Sequence, residues 1–169
     1  MGRAAPGGRH PQWSTHNALL SLGDGAYLEI LAADPDAPAT ADRAADHATA
    51  HALFGLALAR TVPRLTTWML RASPIDPLLA AALSAGVDLG SVRAGSRRRA
   101  DGVELQWQIA IPPQRPLDGT VPWLIDWGWS QHPSRSAPAG CTLEWIELEH
   151  PEPDRVAAVL AAVGCGALR

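Results

Sequence analysis

The chain has 169 residues, 47% of them hydrophobic and 18% charged. That is a globular composition, with room for one ordinary domain or a compact pair of modules. The net charge of −3 offers no general attraction to nucleic acid or to an anionic membrane surface, and neither is expected as a partner. All 14 basic residues are arginine, so a Schiff-base lysine and a phosphate-loop lysine are excluded, and neither pyridoxal phosphate nor a nucleotide cofactor is expected.

The excess of Arg, Ala and Pro fits a GC-rich, bacterial genome. Cys141 and Cys165 stand far apart with no CxxC spacing, which indicates neither a zinc ribbon nor a disulfide scaffold. The opening MGRAAPGGRHPQW lacks the apolar segment of a secretory signal. No run approaches the roughly 18 apolar residues of a membrane span. A cytoplasmic, soluble protein is expected.

Residues Met1–Gln12, rich in Gly, Pro and Arg, read as an irregular lead-in. Two apolar runs follow, His16–Leu22 and Ala26–Ala32, joined by Gly23-Asp24-Gly25; this predicts a β-hairpin. With Leu22 and Ala26 flanking the turn, Asn17, Leu19, Ser21, Tyr27, Glu29 and Leu31 share one face. Ala18, Leu20, Leu22, Leu28 and Ile30 form an apolar face that must pack on something. Glu29 is a lone carboxylate mid-strand, and burying it uncompensated would cost several kcal/mol or more. It therefore needs a proton, a partner, a metal or solvent.

Asp34–Ala39 reads as a loop and Ala41–Ala59 as an Ala-rich helix. His47 and His51 lie one turn apart on it, where two imidazoles can share a metal or simply sit exposed. Arg64–Arg71 reads as a strand. Ser73-Pro74-Ile75-Asp76 opens a helix, with Ser73 as its cap, Pro74 at the first helical position and Gly86 as its stop.

Strands resume from Val87 to Ile111. A turn at Asp101-Gly102 separates Arg97-Arg98-Arg99 from the alternating Val103, Leu105, Trp107, Ile109 and Ile111. The arginine triplet suits an acidic ligand, but a solvated strand edge that resists unwanted pairing explains it more simply. Pro122–Trp129 is a short apolar strand with Asp126 between Trp123 and Trp127, followed by Gln131 and His132. It is either a second site or tryptophan core beneath a capped acid. Cys141–Glu149 reads as a further strand, leading into a helix that ends at Gly164.

The units Leu65–Gly86 and Leu143–Gly164 superpose without a gap: Leu70 falls on Leu148, Asp76 on Asp154, Leu78 on Val156, Gly86 on Gly164. The first copy continues into three more strands, which gives the order β-α-β-β-β.

The segment HPQWSTHNALLSLGDGAYLEILAADP resembles the opening signature of the glyoxalase-like branch of the vicinal oxygen chelate superfamily. FGL at Phe54–Leu56, PRLTTWMLR at Pro63–Arg71, the R-R-x-D-G-x-x-L-x-W pattern at Arg98–Trp107 and VPWLIDWG with His132-Pro133 fit the same group. The resemblance implies an α+β fold of βαβββ modules forming a cupped mixed sheet. The chain would be a single domain over 1–169. Within it, 10–35 would be a partial first module lacking its opening strand and helix, 64–130 a complete second module, and 141–164 the strand–helix start of another. It also implies a small-molecule ligand in the cup and, in many members, a divalent metal often held by a Glu where Glu29 stands.

On that basis Glu29 and Asp126 are the candidate catalytic carboxylates. Glu29, Asn17, His16 and His132 are the candidate metal ligands. Trp68, Arg71, Trp107, Trp123 and Trp127 are the candidate substrate-binding residues. Three roles stay open: a metal-dependent lyase, isomerase or dioxygenase; a non-catalytic binder that sequesters a small molecule; or a chain whose exposed sheet edges pair in a homodimer.

Overall fold

A computed structural model of the chain describes residues 2–23, 25–37, 63–99 and 101–165. The helix expected over Ala41–Ala59, with His47 and His51, lies outside the described residues, as does Phe54–Leu56. The architecture is α+β, as expected: the described residues form a three-stranded sheet, a four-stranded sheet and two α-helices.

The first sheet has the order β1-β2-β3, with β1 at Ala5–His10, β2 at Thr15–Ser21 and β3 at Tyr27–Ala33, all antiparallel. The predicted hairpin forms in the expected register, with Leu22 N–H donating to Ala26 O at 3.0 Å and Leu19 opposite Glu29. The expected irregular lead-in is instead strand β1. Its Gly and Pro residues hid it, because they are poor strand formers. A bulge between Pro6 and Gly8 accommodates them by inserting Gly7 without a partner.

The apolar face of the hairpin does not behave as one buried unit. Leu20 is buried, but Leu28 and Ile30 on β3 stay exposed, Ile30 at 53%. The opposite face, carrying Asn17, Leu19 and Ser21 on β2, is the buried one.

The second sheet has the order β4-β7-β6-β5, with β4 at Met69–Arg71, β5 at Ser91–Arg98, β6 at Glu104–Ile111 and β7 at Trp123–Asp126. Strand β4 pairs parallel with β7, and β6 pairs antiparallel with it. Strand β4 is shorter than the Arg64–Arg71 run predicted, since its ladder with β7 begins only at Met69.

Helix α1 covers Asp76–Ser84 and α2 covers Pro153–Ala162. Helix α1 starts later than the sequence suggests. Ile75 is its N-cap, its carbonyl accepts from Leu78 N–H and Leu79 N–H, and no side chain caps the end. Both helices stop the same way. Gly86 N–H donates to Leu83 O and Val87 N–H to Ala82 O; 78 residues later Gly164 N–H donates to Ala161 O and Cys165 N–H to Leu160 O. This paired arrangement requires the left-handed backbone that Gly86 and Gly164 adopt, at φ of 82° and 84°. The repeat read from the sequence is thus real at its helical ends. Its strand half is not, because Cys141–Glu149 forms no strand. A strand needs a ladder, and among the described residues this run's backbone bonding to another segment is Leu143 N–H to Leu22 O at 2.9 Å.

The chain divides into two compact units. Unit 1 comprises Met1–Arg64, Ser96–Gln106 and Trp129–Ile146; unit 2 comprises Leu65–Gly95, Trp107–Gly128 and Glu147–Arg169. The apolar core of Ala72, Ile75, Val87, Leu89, Leu124 and Val159 with their neighbours lies in unit 2.

Candidate functional site

The period-two alternation of β2 sends Asn17, Leu19 and Ser21 to one face, and the hairpin register brings Glu29 across from Leu19 on that face. Asn17 Nδ2 donates to Glu29 Oε1 at 2.7 Å, which fixes the carboxyl on the inner side of the sheet. The Asn17 amide nitrogen also lies 3.5 Å from His10 Nε2, and His10 Nδ1 is 3.0 Å from Thr15 Oγ1. One Asn17 hydrogen directed at each neighbour makes His10 Nε2 the acceptor and leaves His10 Nδ1–H to donate to the threonine hydroxyl. The imidazole is then neutral.

Burial agrees with that protonation state. His10 is 4% exposed. Desolvation, helped by the positive charge of Arg97 and by His16, lowers its pKa from 6.5 to about 4. Burial pushes the Glu29 carboxyl above its ordinary range, against the opposing pull of the Asn17 hydrogen bond and the Arg97 charge. Tyr27, on the same face, is held well above the usual phenol range, by burial first and by Glu29 second. Glu29 is therefore a carboxyl inclined to keep its proton, beside a histidine inclined to lose one.

The oxygen of the Asn17 amide is buried without a hydrogen-bond partner among the described residues. It lies over Gly7, where an added Cβ would come within 2.2 Å of it. Only a glycine in the β1 bulge lets the amide come this close, so the bulge and the site are one feature.

Arg97 is the fourth member. It is 4% exposed and donates from Nη1 to Gly7 O. Burial lowers its pKa, and the nearby Glu29 and Tyr27 raise it; a guanidinium remains charged in any case. Alternation along β5 separates the triplet, with Arg98 exposed and bridged to Glu104 at 3.7 Å. The solvated-edge reading therefore fits Arg98 and fails for Arg97.

The other sequence-nominated residues divide clearly. His16 is exposed and pairs with Ala32, one residue out of phase with Asn17, so it faces away from Glu29. His132 belongs to unit 1 and meets the Tyr27 ring edge-on at 5.4 Å, while its Nδ1 lies 2.8 Å from Ser134 Oγ. Asp126 belongs to unit 2, where its Oδ1 accepts from Gly128 N–H at 2.8 Å and closes the turn after β7.

Trp107, Trp123 and Trp127 are buried in unit 2, with the Trp107 and Trp127 rings 5.3 Å apart. They fill core rather than line an open cleft. Trp68 donates from its indole to Thr120 O at 3.0 Å, and Arg71 is exposed.

The described residues do not fit a divalent metal. Among the described residues no cluster of three or more His, Cys, Asp or Glu forms. His10 and Glu29 are both engaged by the Asn17 amide and lie near the charge of the buried Arg97 guanidinium. A catalytic metal asks for about three protein donors and no adjacent fixed cation.

Sequence reasoning missed His10 and named Arg97 only as part of a triplet for which a solvated edge was the simpler account. His10 ends a segment that looks like loop until its pairing with Thr15 is known. Arg97 stands in a run of three identical charges, and only strand alternation could have singled it out.

The described residues form two sheets, and β4, α1, β5, β6 and β7 follow one another in the order β-α-β-β-β, which places the chain in the α+β class built on βαβββ units. A family model of the glyoxalase-like domain matches residues 3–164, and the chain belongs to that family, within the vicinal oxygen chelate superfamily. No curated protein and no solved structure matches the chain. Among the described residues no helix is long and apolar enough to cross a membrane.

Proposed function

We propose that this domain binds a small molecule on the inner face of β1–β3 and that Glu29 exchanges a proton with it, in lyase or isomerase chemistry. The observation that carries this reading is the carboxyl of half-buried Glu29, held by Asn17 and shifted toward its protonated form. A carboxyl that holds its proton more tightly than an ordinary one is a candidate for both giving and taking a proton. His10, neutral and fixed by Thr15, keeps the Asn17 amide aimed at Glu29. Because the described donor set does not fit a metal, the chemistry assigned here is proton exchange alone. A cytoplasmic setting goes with two free thiols, Cys141 and Cys165.

A second reading, sequestration without turnover, draws support from the cavity of unit 1, whose lining includes Leu19 and Arg97 but not Glu29. Ligand-observed NMR of a fragment set against wild type and Glu29→Gln separates the two. Proton exchange predicts ligands whose binding changes with pH in wild type and no longer does so in the variant. Binding identical in both proteins at every pH would leave Glu29 without a role and favour sequestration. Stoichiometric Fe, Mn, Zn or Ni in the purified protein would reopen the metal-dependent reading. The exposed Leu28 and Ile30 of β3 support a homodimer, which sedimentation tests directly.

A further inference from the structure

We propose that unit 1 holds an anion subsite, a cavity in which the Arg97 guanidinium receives the carboxylate of a short organic acid. This rests on the small-molecule reading above and narrows it to a charge class. The cavity measures about 190 Å³, and its walls include Gly7 from β1, Leu19 from β2, Arg97, Arg99 and Asp101 around the β5–β6 turn, and Ala137.

A buried charge is unfavourable unless a counter-charge and hydrogen bonds compensate it. Of the five N–H donors on a guanidinium, Arg97 uses one on a protein acceptor among the described residues, to Gly7 O. Among the described residues the ion pairs of unit 1 engage Arg9, Arg98 and Arg99, and none engages Arg97.

Two acids stand close enough to matter, and neither neutralises it. Asp101 is bound to Arg99 at 2.6 Å. Glu29 accepts from Asn17 at 2.7 Å, and burial favours its neutral form. The result is a cation with spare donors on the wall of a cavity. A carboxylate matches the parallel N–H fork of a guanidinium. Leu19 and Ala137 supply apolar wall for a short alkyl chain.

The test is calorimetric titration of the full chain with propionate, with its neutral isostere propionamide, and with inorganic phosphate. Saturable propionate binding is expected, with propionamide weaker by roughly tenfold or more, the scale of one lost charge-assisted contact. Arg97→Gln should abolish the preference. Since that variant also loses the Gly7 contact, Ala137→Phe provides an independent arm. It fills the cavity while leaving Arg97 intact, and a folded Ala137→Phe protein, by circular dichroism and thermal melt, should also lose propionate.

Unchanged propionate binding in either folded variant overturns the subsite. So does phosphate binding more tightly than propionate, which would replace the carboxylate with a phosphoryl group. Propionamide binding as tightly as propionate overturns the anion assignment while the small-molecule reading stands. Failure of propionate to bind at all also overturns the subsite.

Discussion

Units 1 and 2 use burial for opposite ends. Among the described residues the polar and charged residues that are buried as a whole all lie in unit 1: His10, Ser14, Thr15, Asn17, Ser21, Arg97 and Ser134. The buried apolar side chains lie mostly in unit 2, where Leu124, Val159 and Leu160 have no solvent exposure. Apolar burial contributes net stability in proportion to area, whereas a buried hydrogen bond contributes little once desolvation is subtracted. Unit 2 therefore has the means to hold the fold, whereas unit 1 gives buried positions to polar groups that contribute little to it.

That contrast breaks most visibly from the unit 2 side. Trp123→Ala removes an indole that is 1% exposed, and a loss of about 3–5 kcal/mol is expected, read by urea denaturation. The Glu29 titration, followed by carboxyl NMR, should not change in the folded fraction. A shift there would mean the two units do not divide labour as their compositions suggest.

Much of unit 2 was legible in the sequence because its signals are local. Helix stops at Gly86 and Gly164 and the alternation from Trp107 to Ile111 each depend on a few neighbouring residues. In unit 1 the hairpin and its face were legible for the same reason, so Asn17 beside Glu29 could be read from register alone. His10 and Arg97 could not, because they reach the site through a bulged strand and a contact 90 residues away in sequence, Arg97 to Gly7. Long-range pairing leaves no periodicity to read. Trp107, Trp123 and Trp127 failed in the opposite direction, since aromatic density looks the same in a core as in a cleft.

Acid should expose the cost of the polar unit next. The His10 pKa is about 4 in the folded chain, against an ordinary 6.5. The native state binds fewer protons than the unfolded chain between those values, so stability falls as pH drops from 6.5 toward 4. Fully developed, the effect is on the order of 3 kcal/mol. His10→Gln should flatten this acid limb in denaturation curves taken across pH; an unchanged limb would place the titrating group elsewhere.

A smaller loss, about 1–3 kcal/mol by overpacking, is expected from Gly7→Ala, whose new Cβ would stand 2.2 Å from Asn17 Oδ1. The informative readout is the Glu29 pKa. If the amide swings away, Glu29 loses the hydrogen bond that favours its charged form, and its pKa should rise further. Equal loss of stability with no change at Glu29 would make the bulge a packing feature only.

Glu29→Gln should change stability least, within about 1 kcal/mol at acid pH, where the wild-type carboxyl and the amide are both neutral. The difference emerges as pH rises. A carboxyl whose folded pKa lies above its unfolded value holds its proton in the native state longer than in the unfolded chain. Wild-type stability is then complete below the ordinary carboxylate range and declines as pH climbs through the raised pKa. The Gln variant has no proton to lose, so its alkaline limb should stay flat where the wild-type limb descends. Parallel limbs in the two proteins would mean that Glu29 is ionised in the folded chain at no penalty, with a cation or solvent supplying the compensation. Arg97 is the cation best positioned to do so, and an Arg97→Gln, Glu29→Gln double variant measures that coupling directly.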